Sequence, residues 1–283
     1  MRIGVSSYSF AQYMERTGAN YLDICQIAHE MGFEGIEFID LDLAVQPAPS
    51  MEALADAIRE GCAALGLTIC AYTVGADFMA ADAMAEAERL RGCVDIAARL
   101  GAPVMRHDAT RGQGLTDWRQ AVATMAPAIR ALAEYAQSKG VRTCTENHGY
   151  FIQDANRVES LVLEVDHPAY GWLVDIGNFV CADEDSAHGV AIAAPYAIHA
   201  HAKDFLIKPA HADNPGDGWF RSRQGRYLRG TIPGHGDIAL RDCVRILRES
   251  GYEGWLSYEF EGPEENLPAL EAGLAYLRGI VGA

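Results

Sequence analysis

From one end of the chain to the other, a strand-length apolar run is followed by a segment with apolar residues at helical spacing, and this alternation repeats eight times. A chain built that way folds as successive βα units with a parallel sheet, and eight such units close a single (β/α)8 TIM barrel of the α/β class. The runs are Arg2–Tyr8, FEGIEFI, LTICAY, APVMRH, VRTCTE, YGWLVD, AIHAHA and GWLSYEF. The intervening helices carry their own start and stop signals. Asn20, Ser50, Asp117 and Asp237 stand where side chains cap N-termini, and Gly32, Gly66, Gly101 and Gly140 stand where helices stop. The sixth helix, over 186–194, carries the weakest pattern. No shift in composition divides the chain, so residues 1–283 read as one domain. Its one long irregular segment is a polar, Gly- and Pro-rich loop after the seventh strand, about 203–235.

Charge narrows the partners. The chain carries a net charge of -16, which excludes the basic stripe that a nucleic-acid binder needs and fits an anionic membrane poorly. No run approaches the length of a membrane span, and the N-terminus opens directly into a strand pattern. Seven cysteines form no C-x-x-C pair and lie mostly in apolar runs, as small buried thiols do in a reduced compartment. A soluble cytoplasmic protein is expected.

Where the strands end is more specific. Glu146 follows VRTCT, Asp175 follows GWLV, His201 ends AIHAH and Glu259 follows GWLSY, at spacings of 29, 26 and 58 residues. In a TIM barrel the C-terminal ends of the strands carry the active site. Three carboxylates converging there would repel one another unless a cation neutralised them, and an imidazole completes a set suited to one divalent metal such as Mn2+, Mg2+, Co2+ or Zn2+. His199 shares the face of His201, but His201 lies nearer the rim.

Beyond those four, RIGVSSYSF, TENHGYF, VDIGNF, HAHAKDF, IPGHGDI and SYEFEG make the chain resemble the xylose isomerase-like TIM barrels over nearly its whole length. That superfamily contains sugar isomerases and epimerases, inosose dehydratases and, more distantly, apurinic endonucleases. The resemblance implies that Glu146 and Glu259 are both metal ligands and acid/base groups, and that Asp175 and His201 are ligands only. It also implies a small sugar or sugar-derivative substrate and allows a homo-oligomer. The implied activity is an isomerase or epimerase working through an enediolate. The alternative is a lyase, a dehydratase acting on a keto-polyol or keto-glycoside. Asn178 stands where ketose 3-epimerases carry a His, and the His-x-Lys-Asp run at His201 looks more like the inosose dehydratase-type and uncharacterised branches.

Six further residues are candidate substrate contacts. His148 lies two residues past Glu146, Lys203 two past His201, and Asn178 three past Asp175; Glu37, Tyr72 and His107 end strands 2, 3 and 4. His235, in PGHGD, reads as turn structure, and the basic run 221–229 as a segment that could fold over an anionic group.

Overall fold

The computed structural model describes residues 1–282. In chain order its strands are β1 (Arg2–Ser6), β2 (Gly35–Ile39), β3 (Thr68–Val74), β4 (Val104–His107), β5 (Arg142–Glu146), β6 (Tyr170–Asp175), β7 (Ala197–Ala202), β8 (Asp204–Lys208), β9 (Phe220–Arg221), β10 (Tyr227–Thr231) and β11 (Trp255–Tyr258). The helices are α1 (Ala11–Thr17), α2 (Tyr21–Met31), α3 (Met51–Leu65), α4 (Ala83–Leu100), α5 (Trp118–Ser138), α6 (Ala155–Val165), α7 (Ser186–Ala193), α8 (Leu240–Glu249) and α9 (Asn266–Val281). Strands β1 to β7 and β11 are parallel and close a barrel in the order β1-β11-β7-β6-β5-β4-β3-β2, the α/β TIM fold that the alternation predicts.

Local chemistry fixes most boundaries where the sequence places them. Asn20 and Asp23 form a reciprocal capping box at the start of α2, and Ser50 and Asp117 cap α3 and α5. Among the boundaries that differ, two have a visible cause. The first strand stops at Ser6, whose hydroxyl accepts the Tyr8 N–H and opens a 3-10 turn over Ser7–Phe10, leaving the Tyr8 side chain exposed. Asp237 does not cap α8; its carboxylate accepts the Ile207 N–H at 2.7 Å instead.

Apolar side chains from the outer faces of the strands and the inner faces of the helices make the main core, and each large one buried contributes about 1.5–3 kcal/mol. Inside the bore, Ala71, Val104, Cys144 and Leu173 form a small apolar plug. Cys144 and Leu173 lie two residues before Glu146 and Asp175 on their strands, so alternation puts the polar residues on the same inward face, one layer nearer the C-terminal rim.

The segment after β7 is more regular than its composition suggests. Strands β8, β10 and β9 form an antiparallel sheet in that order, DFLIK pairing with YLRGT across the Gly-rich segment between them. Asp204 anchors this sheet. Its carboxylate accepts backbone N–H groups from Phe205, Gly234, Gly236 and Ile238 at 2.8–3.2 Å, and a Cβ on Gly236 would stand 2.1 Å from Asp204 Oδ1. The PGHGD turn is therefore folded around a buried carboxylate, and His235 belongs to that turn through its backbone bond to Ile232.

Candidate metal centre

Glu146, Asp175, His201 and Glu259 converge at the rim, each buried, with one ligand-capable atom from each within 4.8 Å of the others. The Nδ1 of His201 lies 3.5 Å from Glu259 Oε2, 3.6 Å from Asp175 Oδ2 and 3.9 Å from Glu146 Oε1. His201 Nδ1 is buried without a hydrogen-bond partner, and Asp175 Oδ2 is buried with the Lys203 ammonium 3.1 Å away. Ligands about 2.0–2.2 Å from a divalent ion stand roughly 3–3.5 Å from each other, so little adjustment would close this set around one cation. On its other side, His201 Nε2 meets Glu37 Oε2 at 2.8 Å. A carboxylate accepts only, so Nε2 carries the proton and Nδ1 is aimed at the cluster, the orientation that an outer carboxylate gives a metal-bound histidine.

The electrostatics agree. Burial works against an imidazolium at His201, but the Glu37 and Glu259 charges outweigh it and hold this group well above the usual histidine range. The cluster thus calls for positive charge at Nδ1, from a proton or a metal ion. Burial pushes the Glu146 carboxyl up to about 7 against the pull of Arg106. Asp175 and Glu259 are buried too, yet the Lys203 ammonium and then His201 keep both below the carboxylate norm.

Two cations flank the carboxylates. Lys203 Nζ lies 2.5 Å from Glu259 Oε2, 3.1 Å from Asp175 Oδ2, 3.0 Å from Glu261 Oε1 and 3.3 Å from Asn178 Oδ1. Gly177 makes room for it, since a Cβ there would stand 2.8 Å from Lys203 Cβ. Arg106, on β4, bridges Glu146 Oε2 at 2.5 Å and Asp108 Oδ1 at 2.8 Å. Asn178 Nδ2 donates to Glu146 Oε1 at 2.9 Å, and His148 Nδ1 meets Asp108 Oδ1 at 2.8 Å. Burial would lower the His148 imidazole, but Asp108 and Glu146 raise it above the ordinary value. Above these groups lies a cavity of about 240 Å³, lined by Tyr8, Asp40, Thr73, Arg106, Asp108, Glu146, His148, Lys203, Glu259 and Glu261 among others. Oxygen-rich walls, both charge signs and a cluster able to hold an ion at the base suit a small polyhydroxylated ligand.

A family profile described as "Xylose isomerase-like TIM barrel" matches residues 25–280. The chain belongs to that family. Among curated proteins, this xylose isomerase-like barrel is 28% identical over 140 residues to an inosose dehydratase of Geobacillus thermodenitrificans, a match covering 47% of this chain and 45% of the relative. It spans about half the length of the curated relatives it matches. Two solved structures share its fold. One is the IolI protein with a bound zinc atom (TM-score 0.77, 16% identity, 100% of this chain and 98% of the other). The other is the D-psicose 3-epimerase of Clostridium cellulolyticum H10 (TM-score 0.75, 16% identity, 99% of each chain).

Several of the barrel's other candidate residues stand elsewhere than strand ends suggest. Tyr72 is one residue out of phase: it packs in the main core, with its hydroxyl toward Leu41 and Cys93, and Thr73 lines the cavity in its place. His107 is out of phase in the same way. Its ring lies between Phe78 and Tyr170 at 5.3 and 6.0 Å, outside the cavity, while Arg106 faces the bore. Glu37 faces inward but sits beneath the cluster, bonded to Thr73, His199 and His201. His199 reaches Ser257 and Glu37 in that same lower layer, so His201 alone faces all three carboxylates. Asn178 holds Glu146 and Lys203 in place rather than lining the cavity. Three of the four arginines of 221–229 are held within the protein: Arg223 pairs with Asp154, Arg221 stacks on Tyr227, and Arg229 lies over Trp219. Arg106, Asp108, Glu261 and Tyr8 line the cavity without having stood out in the sequence; the strand phase in APVMRH would have revealed Arg106.

Proposed function

We propose that this chain is a divalent-metal-dependent enzyme that enolises a small polyhydroxylated ketone. The unpartnered His201 Nδ1, aimed among three carboxylate oxygens, carries this reading. Glu146, Asp175, His201 and Glu259 would hold one Mn2+, Mg2+, Co2+ or Zn2+ ion. When bound, the ion would polarise a substrate carbonyl and stabilise negative charge on the neighbouring oxygens.

The chain's own residues would do the proton work. Glu146 and Glu259 come from β5 and from the residue after β11, so they approach a ligand in the cavity from different strands. One would take the proton α to the carbonyl as general base, and the other would return a proton. Return to carbon gives an isomerase or epimerase. Loss of a β-hydroxyl instead gives a lyase, and two observations favour this second outcome. The buried Lys203 ammonium borders the same carboxylates, where it would steady a departing hydroxide, and the curated relatives named above are inosose dehydratases. Asn178 and Arg106 would fix the orientation of Glu146.

Deuterium uptake from D2O, resolved by mass, tests the proposal with metal-loaded protein and a panel of ketoses, inososes and keto-glycosides. Carbon-bound deuterium without mass loss marks an isomerase or epimerase, and uptake with loss of water marks the lyase. No exchange with any compound, in protein shown to hold metal, overturns the enolisation reading.

A further inference from the structure

A second depression of about 460 Å³ lies against the site cavity and shares two of its walls, Tyr8 and Ile39. The 3-10 turn after β1, helix α1 and the loop after β2 enclose it, through Ala11, Met14, Ala44 and Val45. Tyr8 and Val45 are 47% and 37% exposed, two of six large apolar side chains left open to solvent among the described residues. Both border this one depression.

Its chemistry differs from that of the site beside it. The cavity above the carboxylates offers charged groups of both signs, as a polyhydroxylated ring requires. In the second depression the polar atoms are largely engaged already: Ser7 Oγ accepts the Ile39 N–H and Tyr21 Oη accepts the Asp42 N–H, each at 2.9 Å. Glu15 is exposed. A hydroxyl placed against Met14, Ala44 and Val45 would lose its hydrogen bonds to water and gain none, whereas an apolar group would gain by leaving water. The Tyr8 ring at the junction offers a face for aromatic packing.

We propose that this groove is a subsite of the same active site for an apolar, aryl-sized substituent on the substrate, which makes the substrate a keto-glycoside or a comparably substituted keto-polyol rather than a free ketose. The proposal rests on the reading of the neighbouring cavity as a sugar site. The occupant follows from continuity: a group attached to a ring bound over Glu146 and Glu259 that leaves that cavity past Tyr8 and Ile39, the two walls the depressions share, enters the groove.

Ligand-observed NMR with Zn2+-loaded protein tests this, using matched 4-nitrophenyl and methyl glycosides of D-glucose, D-galactose and D-xylose. Burying one aromatic ring should tighten binding about tenfold or more for the aryl member of at least one pair. Val45→Asp, an exposed loop change checked for folding by its thermal melt, should remove most of that preference. Equal affinity within every pair, including no detectable binding of any, overturns the subsite. So does a preference that Val45→Asp leaves intact. Dissociation of a dimer by Val45→Asp, with no aryl preference in the parent, would assign the groove to a second copy of the chain instead. Failure here is separate from failure of the enolisation reading: free ketoses that exchange deuterium with no aryl preference would remove only the subsite, and an aryl preference without exchange would remove only the chemistry.

Discussion

On its lower side His201 meets one carboxylate, and on its upper side it faces three. Both groups, Glu37 with His199 and His201, and His201 with Glu146, Asp175 and Glu259, bring metal-capable atoms within 4.8 Å of one another. They differ in what the unmatched nitrogen faces. Below, Glu37 accepts from Thr73, His199 and His201, and the two imidazoles outweigh its burial and hold it well below the carboxylate range; the one atom left over there, His199 Nδ1, belongs to a ring already bonded through Nε2. Above, His201 Nδ1 has no hydrogen-bond partner and faces three carboxylate oxygens, and Asp175 Oδ2 has only the Lys203 ammonium, at 3.1 Å. Proximity of ligands therefore does not make a centre. A cation is called for where an unmatched nitrogen faces several carboxylate oxygens at once, and the lower group reads as the support that orients the upper one.

The largest effect that could break this contrast is on turnover. Glu259→Gln should cut deuterium exchange about 10²–10⁴-fold while the circular dichroism spectrum stays unchanged, and retained exchange would remove the two-glutamate mechanism. His107 supplies a control histidine outside both groups. Burial pushes it down to about 4, from an ordinary 6.5, so it stays neutral in the folded state while the unfolded chain takes up a proton as pH falls. Its contribution to stability is thus fully present above pH 6.5 and lost as pH falls toward 4, by about 3 kcal/mol at most. Urea unfolding at pH 7 and pH 4.5 should show a shallower acid decline for His107→Phe than for the parent, with exchange activity at pH 7 kept. An unchanged decline would mean the ring titrates freely.

Metal-linked stability is next in size. Mn2+ or Zn2+ at a hundredfold excess over its Kd should stabilise the chain by about 2.7 kcal/mol in thermal unfolding, and EDTA should reverse this. Asp175→Asn should abolish the gain. A gain that survived this change would put the ion in the lower group or elsewhere. Smallest of these, Glu37→Gln should weaken metal affinity about 10–100-fold without unfolding the chain, as read by titration calorimetry. Loss of all metal binding would instead make Glu37 a ligand.

The barrel was legible because its period is redundant: eight repeats and their caps agree, and an error at one boundary, as at Tyr8 or Asp237, leaves the rest standing. The candidate site was legible where a residue at or next to the end of a strand also faces the bore, as at Glu146 and Asp175, which end their strands, and His201, one residue before the end of β7. It was not legible at β3 and β4. There the chemically suggestive residues, Tyr72 and His107, point at the helices, and the cavity receives Thr73 and Arg106. The β2–β3 register shift between Ile36 and Glu37 further hides the phase on that side. Which partners Lys203 and Asn178 choose depends on contacts between separate βα units, which spacing along one chain does not encode.

Asp204 has a consequence for traffic. Its hydrogen bonds to four backbone groups fasten the antiparallel sheet one residue beyond Lys203, and Arg223 with Asp154 and Ser222 with Asp183 rivet the far edge of that sheet to the loops after β5 and β6. Swinging this flank outward would break a charge-assisted network in which each bond is worth about 1.5–3 kcal/mol. It is a wall, not a door. Molecules arriving at and leaving the carboxylates would pass on the opposite flank, over Tyr8, Asp40 and Gly75, where the rim is open.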